Sequence, residues 1–289
     1  MSIDEIPTIL QPLERYTGKY EREAVDAAIA HREEITPILI DCLERVEDNP
    51  TQFREDLDYY LYVYGVMILG HLRETRAHSA IVKVFSLPDP PLYELFGDIV
   101  TENLPFILFN TCGGDFDLIR SMIHNRQADE FARGSAAQAL TYAVAAGQLP
   151  REEVLAFFST LFSGDEAEPL SLFWSLIADC ILDLHPGELV PLINDADERG
   201  LLDAGFLCDE DLAHALDRSV AECLEDLRHD LQRRSLDDLH REMGSWDSFW
   251  EDEFEPYFPF PDKTKIKAEK AKKKSKKKQA KAARRKNRL

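Results

Sequence analysis

The chain has 289 residues, 44% of them hydrophobic and 10% aromatic, enough to bury a sizeable core and to exclude wholesale disorder. It carries 34 Lys plus Arg against 54 Asp plus Glu, a formal net charge of −20, with only 13 glycines. That argues against an all-β or glycine-loop nucleotide fold, and an anionic body is repelled by phosphate backbones and anionic lipid.

Read from the start, residues 1–243 are predicted to form one all-α body, an α-solenoid of HEAT-like helix pairs. Met1 to Leu13 contains Asp4 and Glu5 without a basic n-region, so no signal peptide is expected. Residues 1–53 read as a cap of two or three helices. Tyr59, Tyr60, Tyr62 and Tyr64 point around a helix, which favours helix packing over a base-stacking platform. Tyr59 to Gly70 is apolar but too short to span a bilayer, so no membrane partner is expected, and an odd number of unpaired cysteines suits a reducing, cytoplasmic location.

Four segments share an aromatic or Arg residue followed by a small one: Tyr64-Gly65, Phe96-Gly97, Arg133-Gly134 and Trp174-Ser175. The small residues are 32, 37 and 41 positions apart. Second helices are predicted to start near Ile81, Leu118, Val154 and Leu189. Val154, Leu155, Phe158, Leu161 and Phe162 make one narrow apolar stripe, whereas Ser171 to Leu184 is apolar over more than half its circumference and must be covered on two sides. Gly113-Gly114, Gly147 to Pro150 and Pro186-Gly187 supply turns inside pairs, and Pro88 to Pro91 separates two pairs. Periods of this length with two helices each are the pattern of stacked repeats.

The charge is uneven. Residues 209–243 are polar and acidic, suiting a terminal cap, and Asp195 to Glu255 holds 20 acids and six arginines. Residues 244–261 place seven aromatics among five acids. They read either as an extended segment packed back on the repeats or as a motif for a partner's groove. Residues 262–289 carry 15 Lys plus Arg and two acids. This tail is predicted to be disordered when free, because like charges at i, i+4 oppose its helix propensity.

From about Glu34 to His214 the chain resembles an uncharacterised bacterial protein family of unknown function built from HEAT-like helical repeats. The residues behind this are the Tyr64-Gly65 helix, the Gly113-Gly114-Asp115 turn, Arg133 to Leu140, and the Leu189 to Leu202 helix. The resemblance implies a helical-repeat fold and brings no catalytic residues with it.

No catalytic or cofactor motif stands out. Five cysteines lie at 42, 112, 180, 208 and 223 without a Cys-x-x-Cys pair, and none follows Cys223, so a terminal zinc site is excluded. Cys112 is the one loop candidate for a reactive thiol. Asp195-Ala196-Asp197 imitates the start of a calcium loop, but Arg199 and Phe206 stand where oxygen ligands belong. His31/Glu33 and His240/Glu242 read as solvated helix faces.

The expected function is a non-enzymatic interaction scaffold offering an acidic surface to a protein partner, one of basic character, and using no cofactor or metal. Asp195, Asp197 and Glu198 are the candidate acidic contacts, with Trp246 and Trp250 as aromatic ones. Lys272, Lys273, Lys274, Lys276, Lys277, Lys278, Arg284 and Arg285 are the candidate polyanion contacts. Through them the tail would bind nucleic acid without sequence preference. One alternative is an RNA- or ribosome-associated protein docking by its tail. Another is an enzyme with Asp179, Asp183 and His185 at a helix end.

Overall fold

A computed structural model describes residues 6–56, 58–168, 171–203, 205, 209–246 and 249. The chain divides into two units, residues 1–249 and 250–289, and the second lies outside the described residues. The described residues are all-α, with one isolated antiparallel bridge between Arg15 and Tyr59.

Four helices precede the repeats: α1 (Ile6–Glu14), α2 (Arg22–Ala30), α3 (Arg32–Asp48) and α4 (Pro50–Glu55). The next helix, α5 (Leu61–His71), is buried at every position from Leu61 to Gly70. It has no polar face, so it needs neighbours all round, each buried Leu, Ile or Val contributing about 1.5–3 kcal/mol. Helix α3 covers one side and α1 and α2 another. The tyrosines at its start pack as expected, Tyr64 being 1% exposed.

After α5 come α6 (His78–Phe85), α7 (Pro91–Phe96), α8 (Ile99–Glu102), α9 (Leu104–Thr111), α10 (Asp117–His124), α11 (Glu130–Ala145), α12 (Arg151–Thr160), α13 (Phe173–Asp183) and α14 (Val190–Glu198). Helices α5, α9, α11 and α13 pack side by side in chain order and form an inner layer. Helices α6, α10, α12 and α14 are the second members of the pairs, near the predicted starts. Asp129 caps α11 by accepting from the Phe131 and Ala132 N–H groups, which satisfies two otherwise unpaired donors.

One repeat marker is corrected. Phe96 ends α7, and Gly97 follows it at φ +50°, a left-handed position that glycine occupies at low cost. The inner helix of that pair is α9, so the short helices α7 and α8 fill what reads in sequence as one helix. At the other marker, Gly134 lies where a Cβ would come within 2.8 Å of Leu176 on α13. There the small residue does set helix approach.

The last helices are α15 (Asp209–Leu216), α16 (Val220–Arg234) and α17 (Leu239–Gly244). Helix α15 packs on α13 at the end of the series, and the chain then returns along the inner layer. A Ser219/Glu222 capping box starts α16, which lies against α11 and α13. Arg228 Nε donates to Ala145 O at 2.9 Å, and Arg234 Nη2 to Glu102 O at 2.9 Å. Further on, His71 Nδ1 donates to Leu236 O at 2.6 Å. The His240/Glu242 pair is corrected from a solvated face to a clasp. His240 Nε2 donates to Asp26 at 2.8 Å while Nδ1 meets the Tyr20 hydroxyl at 2.8 Å, and Glu242 takes a bond from Asn103.

Candidate functional site

The predicted contact residues fall in different places. Asp195, Asp197 and Glu198 are exposed on α14, whose Ile193 and Ala196 hold it to the body. Asp195 accepts from Arg199 Nη1 at 3.2 Å, and the same nitrogen donates to Phe162 O at 3.1 Å. Asp195 is therefore engaged in tying α14 to the preceding pair. The Asp197 and Glu198 side chains have no partner among the described residues. Trp246 stands elsewhere, stacked on Phe249 with ring centroids 5.7 Å apart. Phe249 packs in turn on Tyr16, Tyr20, Tyr60 and Tyr64, so this part of the aromatic segment returns to the N-terminal end of the inner layer. Trp250, Lys272, Lys273, Lys274, Lys276, Lys277, Lys278, Arg284 and Arg285 lie outside the described residues.

A denser acidic group forms where α16 crosses α13. Asp179 and Asp183 stand four residues apart on α13, and Asp226 and Asp230 four apart on α16, so each pair shares a helix face. Asp183 is half-buried and accepts no hydrogen bond among the described residues. Burial raises its pKa to about 7, reinforced by Asp179, Asp230 and Asp226 and opposed by Arg218. Asp179 keeps contact with solvent, yet the protein around it and Asp211 raise its pKa as well. Two neighbours are held. Asp230 Oδ2 accepts from the Tyr142 hydroxyl at 2.5 Å, and Asp226 pairs with Arg218 at 2.5 Å. Burial also raises the thiols of Cys180 and Cys223 beneath the group, so neither is poised as a nucleophile.

Sequence reading places Asp179 and Asp183 together but leaves out Tyr142, Arg218, Asp226 and Asp230. A second i, i+4 aspartate pair on α16 is the signal that could have flagged them, since like charges at that spacing oppose helix formation. His185 closes the turn after α13 at φ +67°, its carbonyl taken by Arg151 Nη2 at 2.5 Å. Its Nδ1 is buried without a partner. Cys112 is buried, donates to Phe109 O at 3.2 Å and has a raised pKa, which removes it as a reactive thiol. Among the described residues no three His, Cys, Asp or Glu are grouped to hold a metal ion. No helix among them is long and apolar enough to cross a membrane.

The body just described coincides with a family match. Residues 4–250 match a family described as protein of unknown function, DUF1186. The chain belongs to the DUF1186 family. Two relatives, each named an uncharacterized protein, come from Chlamydia trachomatis serovar D and Chlamydia muridarum. Each is 30% identical over 243 residues, spanning 84% of this chain and 96% of the relative. No solved structure matches this DUF1186 chain. The family match takes in the acidic group at α13 and α16 and stops before the basic tail.

Proposed function

We propose that this DUF1186 protein is a non-enzymatic helical-repeat scaffold whose acidic surface receives a basic segment of a protein partner. The lysine-rich tail would add a second electrostatic contact. The observation that carries the reading is the charge imbalance around Asp183. Four aspartates gather there, and among the described residues Arg218 is the cation that opposes the shift at Asp183. A cationic segment laid over Asp179 and Asp183 would supply the missing counter-charge and let both ionise, so binding and proton release are linked.

The test uses the full chain and a fluorescently labelled lysine- and arginine-rich peptide, read by anisotropy. The double variant Asp179→Asn/Asp183→Asn leaves the Tyr142–Asp230 and Arg218–Asp226 contacts in place. Two lost contacts of about 0.5–1 kcal/mol each should weaken binding roughly 5- to 30-fold. Equal affinity for the variant and the parent would reject the acidic surface as the site.

The same carboxyl favours a second reading. A carboxyl that titrates near neutrality is suited to general acid work, and Asp179 and His185 flank it in sequence. An enzyme would lose turnover on Asp183→Asn, whereas a scaffold would lose only binding.

A further inference from the structure

A cavity of about 530 Å³ opens where the returning chain meets the start of the inner layer. Three stretches distant in sequence build it: Tyr60 ahead of α5, Phe96 to Asn103 around α7 and α8, and Glu242 to Trp246 at the end of α17. The aromatic walls are Tyr60, Phe96 and Trp246. The carboxylates are Asp98, Glu102 and Glu242.

Asn103 is the informative residue. It occupies the N-cap of α9, where an Asn side chain ordinarily accepts from the first turn of the helix. Here it makes no cap bond. Its Nδ2 donates instead to Glu242 Oε1 at 2.6 Å, and Oδ1 has no donor among the described residues. Asn103 is only 3% exposed as a residue, and its Oδ1 is left free to accept among the groups that line the cavity.

The other polar groups repeat that bias. The Asp98 carboxylate has no partner among the described residues, and Glu102 takes one bond, from Arg234 at 2.5 Å. The Ser245 hydroxyl spends its proton on Glu242 O at 2.8 Å. The cavity thus presents acceptors, negative charge and aromatic faces. A cation carrying several N–H donors satisfies all three at once, by charge-assisted hydrogen bonds to the carboxylates and by stacking on the rings. An anion would meet repulsion, and an apolar group would leave Asn103 Oδ1 unpaired.

We infer that this cavity receives an arginine side chain presented by the partner's basic segment, an inference that rests on the scaffold reading and gives it an anchor point. Arginine fits better than lysine because a planar guanidinium combines stacking on an aromatic face with a fork of N–H donors for carboxylates, and the cavity is lined by both.

The test follows the Asn103 side-chain amide of the full chain by NMR during titration with acetyl-Gly-Arg-Gly-amide. The peptide with citrulline in place of arginine is the uncharged isostere. The expected result is a saturable shift with arginine and none with citrulline. Glu242→Gln should weaken the response at least fivefold, and Trp246→Ala should weaken it while the circular dichroism spectrum stays helical. Asp179→Asn/Asp183→Asn should leave it unchanged. A silent Asn103, or an equal response to citrulline, overturns the inference. An equal response to tetramethylammonium overturns it in favour of a free organic cation. If a long basic peptide still binds through Asp179 and Asp183 while Asn103 stays silent, the cavity alone is refuted. If Asn103 responds but that long peptide ignores Asp179 and Asp183, the broader reading alone is refuted.

Discussion

Two carboxylates in this molecule meet opposite fates. Glu74, after α5, accepts from Arg32 at 3.0 Å and from Arg76 Nε and Nη2 at 2.8 and 2.7 Å. Its pKa falls to about 2, chiefly through the Arg76 bonds. Asp183, the last residue of α13, has fellow acids where Glu74 has arginines, and burial together with those acids raises its pKa to about 7. Burial pushes both carboxyls upward; at Glu74 the arginine bonds outweigh it, and at Asp183 the neighbouring acids add to it. A carboxylate surrounded by cations holds the fold together. One surrounded by acids opposes the fold.

The comparison can be broken first at Glu74. Replacement by Ala should destabilise the protein by about 2–4 kcal/mol, seen as a lowered midpoint in urea, because several charge-assisted bonds disappear together. The pH dependence has a definite sign. With the folded pKa at about 2 against an ordinary 4.5, the contribution is full above 4.5 and fades as pH falls towards 2. An unchanged midpoint at pH 7 would show that the arginines do not bolt the fold there.

Asp183→Asn should act the other way, stabilising the body by about 1–3 kcal/mol at pH 8. The folded pKa of about 7 lies above the ordinary 3.8, so the native state holds its proton more tightly. Native stability therefore declines as pH rises from about 4 through 7, and the gain from Asn should shrink to nearly nothing at pH 5. Urea titrations at the two pH values check this; a variant less stable at pH 8 would place Asp183 among bonding carboxylates.

Tyr142→Phe removes the hydroxyl that holds Asp230 and should cost about 1–1.5 kcal/mol, with faster amide exchange along α16 than along α5. Uniform exchange would show that the returning helix does not depend on that bond. The smallest effect concerns His185, at φ +67°. His185→Gly should raise stability by about 0.5–1 kcal/mol by relieving a left-handed backbone. A loss instead would mean that the imidazole itself makes the turn.

The repeats were legible because turn residues and apolar stripes are local. Gly147, Pro186 and the Val154 to Phe162 stripe mark their helices without reference to the rest of the chain. Phe96-Gly97 misled because a helix C-terminus and a small residue inside a helix read alike when only spacing is weighed. The path of α16 and α17 was not legible. Polar helices of this composition suit a cap, and the contacts that draw them back pair residues far apart, such as His71 with Leu236 and Asn103 with Glu242. The acidic group failed to show for the same reason. Asp183 is an unremarkable helix-end acid until α16 brings Asp226 and Asp230 across it.

The most direct test of the central claim is a carboxyl-carbon NMR titration of Asp183 in the full chain, with and without a lysine- and arginine-rich peptide. The account predicts that Asp183 titrates near 7 in the free protein and about one unit or more lower when the peptide is bound, because a cation overhead favours the ionised form. An Asp183 that titrates near 4 in the free protein, or near 7 with and without the peptide, would contradict it.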